Sequence, residues 1–304
     1  MSNCAPLSLG LVTCKLADIN LLDGSEQLPR ELVNVNIEPK VVFWEDGLPP
    51  RLSGLYLQSC WNAHEVHERN NPKLFIEWIN EVEQGNSPLW NPPELVRWNF
   101  NKTYLLDLQN KGMIIPATSF FPHSLTEEPP SLPVIMSELQ IEMAVIKPLI
   151  SADAYETMLV SREYAHEPKY GEHLKKLVGS TGAMVQEFLP EIKTSGETSL
   201  VFINGEYSHA VLKKPGSDDF RVHEQYGGTV KLIESPPSWA INQASEILSN
   251  APVKPLYARV DGILKDNQIL VLEVEMVDPS LYFDIQPKAA KYFAETLRNL
   301  LCNS

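Results

Sequence analysis

The chain has 304 residues, 43% of them hydrophobic and 21% charged, the composition of a globular protein long enough for two or three packed units. Its 25 Lys and Arg against 39 Asp and Glu leave a formal charge of −14, which disfavours tracking of a nucleic-acid backbone or adhesion to an anionic membrane. A polyanionic ligand must therefore be held by a local basic pocket. Cys4, Cys14, Cys60 and Cys302 form no CxxC pair, which argues against a zinc site or disulfide framework and for a reduced, cytoplasmic protein. No stretch approaches the roughly 18 apolar residues of a membrane-spanning helix, and the N-terminal apolar stretch, interrupted by Lys15 and Asp18, lacks the basic flank of a signal peptide.

In chain order, Leu7 to Val12, Lys40 to Trp44 and Gly54 to Gln58 read as short apolar strands. Pro72 to Val82 carries apolar residues at helical spacing: Leu74, Phe75, Trp78, Ile79 and Val82. Strands alternating with helices predict an open parallel sheet. The proline-rich run from Ser87 to Pro93 punctuates the chain and suggests a first boundary. Beyond it the pattern predicts a helix containing Lys102, a turn at Gly112, a strand around Met113 to Ser119, and then a helix before a strand from Ile141 to Pro148. Residues 150–182 read as a mobile connection plus a helix around Glu172 to Val178, suited to cover a ligand. The final third is strand-rich. Strands are expected at Ala183 to Leu189, Leu200 to Ile203, Glu206 to Lys214 and Phe220 to Gln225, followed by a helix from Trp239 to Asn250, a hairpin, and a terminal helix from Pro287 to Leu301.

The hairpin, YARVDGILKDNQILVLEVE over 257–275, is the most informative stretch. Side chains alternate along a strand, so Arg259 and Asp261 share a face, as do Glu273 and Glu275, and the Lys265-Asp266-Asn267 turn folds the two pairs together. Converging carboxylates suit Mg²⁺, which takes hard oxygen ligands and completes its shell with water and phosphate. An arginine beside them suits phosphate or an oxyanion. A charged, solvated hairpin face would show the same alternation, so the segment needs support from elsewhere.

That support comes from an ordered set of motifs: WNFNKTYLLDLQNKGMIIPAT, VIKP, MVQEFLPEI, GETSLVFINGEYSHAVLKKP, DFRVHEQYGG, and ARVDGI followed by LEVEMVDPSLYF. Over about the last two thirds of its length the chain resembles the ATP-grasp superfamily of carboxylate–amine ligases, in particular the glutathione-synthetase, RimK-type and D-alanine ligase-like branches. With QSCWNAHE and the FIEWI helix, it also resembles the relatives that form D-cycloserine. The resemblance implies an α/β fold with an N-terminal Rossmann-like unit (1–92), a central ATP-grasp subdomain with a lid (93–185) and a C-terminal ATP-grasp subdomain with a metal site (186–304). It implies ATP and Mg²⁺ as cofactors. Lys102 and Lys147 match the lysines that clamp the nucleotide phosphates, and Gln186, Glu187, Phe188 and Leu189 match the hinge that reads adenine. Glu197 and Lys213 match residues lining the same cleft. Arg221 and Arg259 match catalytic arginines, and Asp261, Glu273 and Glu275 match the metal ligands. Trp61, Asn62 and Ser280 are candidate substrate contacts. The chain departs from the family in having Glu275 where many relatives carry Asn, and in having no glycine between Lys147 and Gly171 to build a glycine-rich phosphate loop.

The implied chemistry is transfer of the ATP γ-phosphoryl to a substrate carboxylate and attack of an amine on the acylphosphate, within or between molecules, with ADP and phosphate released. A small amino-acid-like substrate is expected, with no nucleic acid and no membrane; a homodimer is left open. A carboxylate kinase and a non-catalytic nucleotide-binding regulator are the alternatives. His64-Glu65-Val66-His67-Glu68 lacks HExxH spacing and argues against a metal site there. Cys60 with His64 four residues on could form a nucleophile and base, although a buried structural cysteine explains Cys60 as well.

Overall fold

The computed structural model describes residues 7–15, 26–65, 71–124, 128–217, 219–222 and 226–303. Cys4, His67 and Glu68 of the sequence analysis lie outside this set, as do residues 223–225 of the strand expected from Phe220 to Gln225. The described Phe220, Arg221 and Val222 are not in a strand.

The first unit comprises β1 (Leu7–Thr13), α1 (Gln27–Asn34), β2 (Ile37–Phe43), β3 (Gly54–Leu57), α2 (Asn71–Gln84) and β4 (Leu89–Trp90). Its sheet has the order β2-β1-β3-β4 with every pairing parallel, as expected. β1 is buried at all but one position, which is why it reads as a continuous apolar run. α1 was not legible, because it buries only Leu28 and Leu32. β4 falls inside the proline-rich run read as punctuation; its two residues pair with Leu55 and Tyr56.

Next come α3 (Pro93–Asn99), α4 (Tyr104–Asn110), β5 (Thr118–Phe121), α5 (Leu132–Glu138), β6 (Met143–Pro148), β7 (Met158–Ser161), α6 (Pro168–Val178) and β8 (Ala183–Glu187). The strands form an antiparallel sheet, β5-β8-β6-β7. Lys102 sits in the turn between α3 and α4, not in a helix, and the strand expected from Met113 begins only at Thr118. The segment 150–182 is mostly packed structure. β7 pairs with β6, and α6 buries Tyr170, Leu174 and Leu177 in one core with Ile146 and Val185. Residues 150–157, 162–167 and 179–182 are turns or irregular chain.

The last unit contains α7 (Glu191–Thr194), β9 (Glu197–Ile203), β10 (Glu206–Lys214), β11 (Thr229–Ile233), α8 (Ser238–Ser249), β12 (Tyr257–Lys265), β13 (Gln268–Glu275) and α9 (Pro287–Asn303). Its antiparallel sheet runs β11-β10-β9-β12-β13. α8 covers one face through Ala240, Ala244, Ile247 and Leu248. α9 instead joins the last unit to the first: Ala290, Phe293 and Leu297 share a core with Leu9, Leu32 and Tyr56 and with Val201, Ile203 and Tyr257. Edge-to-face contacts of Tyr56 with Tyr257 (5.0 Å) and with Phe293 (5.1 Å) lock this junction.

The hairpin turn places Asp266 and Asn267 at φ 51° and 59°, the left-handed pair that a two-residue hairpin turn requires. Its register shifts at Asp261/Gly262, leaving Leu272 as the extra residue of a bulge. A bulge re-aims side chains, and here Leu272 lines the same cleft as Glu273 and Glu275. A Cβ at Gly262 would lie 2.6 Å from the Leu270 carbonyl oxygen and 2.7 Å from Ile269 Cγ2. Gly262→Ala is therefore expected to cost about 1–3 kcal/mol of stability by overpacking. Equilibrium urea unfolding reads this directly, and a loss under about 0.5 kcal/mol, the range of an ordinary surface substitution, would show that the hairpin absorbs the methyl group.

Candidate active site

A cleft of about 780 Å³ runs between the four-stranded antiparallel sheet and the five-stranded one. This is a volume suited to a nucleotide-sized ligand. Its carboxylates stand in direct cross-strand register: Arg259 faces Glu275 and Asp261 faces Glu273. The Arg259 guanidinium donates to Asp261 through Nε (3.0 Å to each oxygen) and Nη2 (2.9 Å), to Glu275 through Nη2, and to the Ser280 carbonyl through Nη1 (3.1 Å). Lys213, on the neighbouring β10, reaches Asp261 at 3.2 Å and Glu197 at 2.5 Å. Lys102 bonds Glu273 at 3.0 Å and the Ser151 carbonyl at 2.7 Å.

The electrostatics follow from burial and these pairs. Burial alone would raise the Asp261 carboxyl, but Arg259 and Lys213 hold it far below the usual range. Glu273 is likewise drawn down against its burial by Lys102 and Lys147. Glu275 behaves oppositely. Burial, with Glu273 and Asp261 beside it, pushes its carboxyl up to about 8 despite Arg259. Lys147 lines the cleft from β6, and burial lowers it to about 8.

Among the described residues no three His, Cys, Asp or Glu side chains are grouped to hold a metal. The reason is visible at Asp261, whose side chain is 2% exposed and already accepts hydrogen bonds from two cations. The Glu273 and Glu275 side chains are 31% exposed and line the cleft. Hard carboxylate oxygens crowded together fit a divalent cation that would relieve the crowding.

The hinge is more selective than expected. Gln186, Glu187 and Phe188 line the cleft, with Val145, Ile192 and Leu272 adding apolar surface, whereas Leu189 does not. The Glu187 and Phe188 amides already donate to Ala117 and Met143 carbonyls. Arg221 lines the cleft from the loop after β10, held by Asp219 (Nη2 to Oδ2, 2.7 Å) with its guanidinium 3.4 Å from the centre of the Tyr226 ring. Trp61 and Ser280 line the cleft. Asn62 does not; it is buried and spent on Trp44 Nε1, Glu45 and Asn71. Cys60 is fully buried, its thiol donating to the Val12 carbonyl, and burial with Asp278 nearby raises it well above an ordinary thiol, so it is no activated nucleophile.

Several residues that hold the site in place were not singled out from the sequence. The outer edge of β13 is satisfied by side chains: Tyr104 Oη accepts from the Val274 amide (2.8 Å), and Asn99 bridges the Val274 carbonyl (2.7 Å) and the Met276 amide (2.7 Å). Asn91 ties the Tyr257 and Met276 carbonyls (2.8 Å each) to the first unit. Together they aim the two acidic strand ends. The loop after Lys147, lacking glycine, has left-handed Asp153, Ala154 and Glu156 (φ 52°, 55° and 53°).

Two sheets closing on such a cleft, with a parallel α/β unit in front, make this an ATP-grasp fold. No protein-family model matches the chain. It is 27% identical over 285 residues to the cycloserine biosynthesis protein DcsG of Streptomyces lavendulae, covering 88% of this chain and 90% of that protein. Among solved structures it is similar to D-cycloserine synthetase DcsG (TM-score 0.81, 24% identity, 97% of this chain and 99% of the other). It is also similar to the ATP-grasp ligase PsnB, complexed with a phosphomimetic variant of its minimal precursor, Mg and ADP (TM-score 0.65, 14% identity, 97% and 99%). The chain thus has the ATP-grasp fold and is similar over nearly its whole length to ATP-grasp ligases.

Proposed function

We propose that this enzyme phosphorylates a small amino-acid-like carboxylate with ATP and joins the resulting acylphosphate to an amine, releasing ADP and phosphate. The observation that carries this reading is the register of Arg259 and Asp261 against Glu275 and Glu273, in one cleft with Lys102 and Lys147. Glu273 and Glu275 would hold Mg²⁺, with Asp261 joining only if it released a cation. The metal would neutralise phosphate charge during transfer. Lys102, Lys147 and Lys213 would position the phosphates, Arg259 would hold the oxyanion, and residues 150–157 would keep water from the acylphosphate. Phe188 and its neighbours would hold adenine. Similarity to a cycloserine biosynthesis protein supports a small amino-acid-like substrate. Use of ATP suits a cytoplasmic setting. We also assign the three sheets to three units along the chain, near the boundaries read from the sequence.

Incubating the protein with ATP, Mg²⁺ and an amino-acid library, and reading ADP and products by mass, tests the reaction. A joined product or a product equal to the substrate less one water supports amide formation, between or within molecules; ADP release with only an acylphosphate trapped by hydroxylamine would make it a carboxylate kinase.

Lys147 supplies a pH test. It titrates near 8 because it is buried, and phosphates stabilise its charged form, so binding above that pH must bring a proton with it. The dissociation constant for AMPPNP is expected to be flat below pH 7.5 and to rise by up to about tenfold per pH unit above 8. Calorimetry in wild type and Lys147→Arg checks this, since arginine stays charged and should flatten the rise; an equal slope in both proteins would assign the proton elsewhere.

A further inference from the structure

Amide formation needs a base as well as an electrophile, because an amine at neutral pH is an ammonium ion with no lone pair until it loses a proton. Most carboxylates of the cleft are already spent on cations. Glu197, Asp261, Glu273 and Glu275 each lie within ion-pair distance of a lysine or arginine. Asp278 also lines the cleft, and it has no ion pair among the described residues. It comes two residues before Ser280, whose carbonyl accepts from Arg259 Nη1 at 3.1 Å, and the Arg259 charge acts on it. The carboxylate therefore stands near the guanidinium that would hold the oxyanion. The Cys60 amide, at the head of the Trp61–His64 turn, donates to Asp278 and fixes it against the first unit. A carboxylate has lone pairs beyond the one this hydrogen bond uses. Besides Arg259, the groups around it are Asp153 from the loop after Lys147, the Cys60 thiol and the Tyr257 hydroxyl, which donates to the Val277 carbonyl at 2.9 Å. Asp153 also walls, with Glu65 and Trp61, a side pocket of about 160 Å³ that adjoins the cleft. Burial and the Asp153 charge push the Asp278 carboxyl up to about 7, against the Cys60 amide and Arg259. A carboxylate tuned to that range is matched to proton transfer at neutral pH.

We propose that Asp278 is the general base of the second half-reaction, its carboxylate taking the first proton from the ammonium group and freeing the lone pair that attacks the acyl carbon. The proposal rests on the ligase reading above and adds the residue that makes the amine a nucleophile. The nitrogen lone pair forms the C–N bond while the carbonyl π pair moves onto the oxygen facing Arg259. That pair returns as the bond from the acyl carbon to the phosphate oxygen breaks, and the phosphate leaves with the bonding electrons and the second nitrogen proton. Acylphosphate, ammonium and carboxylate thus become amide, hydrogen phosphate and the Asp278 carboxylic acid, which returns its proton to water before the next turnover. The first half-reaction, phosphoryl transfer to a carboxylate, moves no such proton and needs no such base.

The test is rapid-quench kinetics of the full chain with ATP, Mg²⁺ and the D and L forms of alanine, serine and 2,3-diaminopropionate, in wild type, Asp278→Asn and Asp278→Glu. Wild type is expected to release ADP and to form a joined or dehydrated product with at least one of them. Asparagine keeps an oxygen for the Cys60 amide and removes the basic charge. Asp278→Asn should therefore form product slower by about 10²-fold or more, while first-turnover ADP stays within about twofold and acylphosphate accumulates. Hydroxylamine is already uncharged at neutral pH and needs no base, so it should give the hydroxamate at rates within about threefold in the two proteins. Asp278→Glu retains a carboxylate and should form product at least about tenfold faster than Asp278→Asn. Product formation by Asp278→Asn within a few-fold of wild type, or a hydroxamate reaction slowed as much as the amine reaction, would overturn the proposal and leave the ligase reading standing. Loss of first-turnover ADP in both variants would also overturn it, by making Asp278 structural. Wild-type ADP with only an acylphosphate formed, or no ADP with any of these amino acids, would overturn the ligase reading and the proposal with it.

Discussion

Glu273→Gln is expected to lower the rate of ADP release at saturating ATP by at least about two to three orders of magnitude, the scale of losing several kcal/mol of metal-centred charge stabilisation. Glu273 presents a carboxylate to the cleft, opposite Asp261 in register, and is held at 3.0 Å by Lys102. Glutamine has the same shape and still offers Lys102 an oxygen, so the substitution removes charge without leaving the lysine unpartnered. Circular dichroism should be unchanged, and raising Mg²⁺ should recover only part of the rate. Wild-type turnover across a Mg²⁺ titration would remove Glu273 from the metal site.

The second large effect is expected at Arg259. Its guanidinium spans Asp261, Glu275 and the Ser280 carbonyl at once, a fork that a single ammonium cannot reproduce. Arg259→Lys should cost at least about 10²-fold in kcat, as when one preorganised oxyanion donor is lost, with a much smaller change in ATP affinity. The charge is retained, so Asp261 keeps cationic partners in the lysine and Lys213, and the buried network should not collapse. ADP release and AMPPNP binding measured on the same variant separate the outcomes. Turnover within a few-fold of wild type would make Arg259 a neutral partner of the acids, and joint loss of binding and fold would make it structural.

The hairpin was legible because its determinants are local. Alternation along β12 and β13 assigns faces, and a left-handed turn at Asp266 and Asn267 sets which residues oppose one another. The same holds for β10, for the terminal helix and for the parallel first sheet, whose apolar runs and helical spacing span a few residues each. Lys102 and Lys147 entered through resemblance alone, since an isolated lysine in sequence is more often solvated than functional. Asn91, Asn99 and Tyr104 were invisible because their partners lie 166 to 185 residues away on β12, β13 and the chain following β13. A polar side chain that satisfies a buried strand edge looks, in sequence, like one that faces water.

From the sequence alone came the ATP-grasp resemblance, the faces of the strands and the set of charges that meet at the cleft, because alternation and turn chemistry act over a few residues. Only the tertiary structure decided how those charges divide. Asp261, nearly devoid of solvent, is consumed by Arg259 and Lys213, while Glu273 and Glu275 keep oxygens at the cleft. It also decided that β7 and α6 pack into the four-stranded antiparallel sheet's core, and that Asp153, Glu65 and Trp61 wall one side pocket. The physical reason is that a charge's partner and its freedom to bind are set by burial and by distances across sheets. Those depend on which strands neighbour one another, and no short window of residues contains that information.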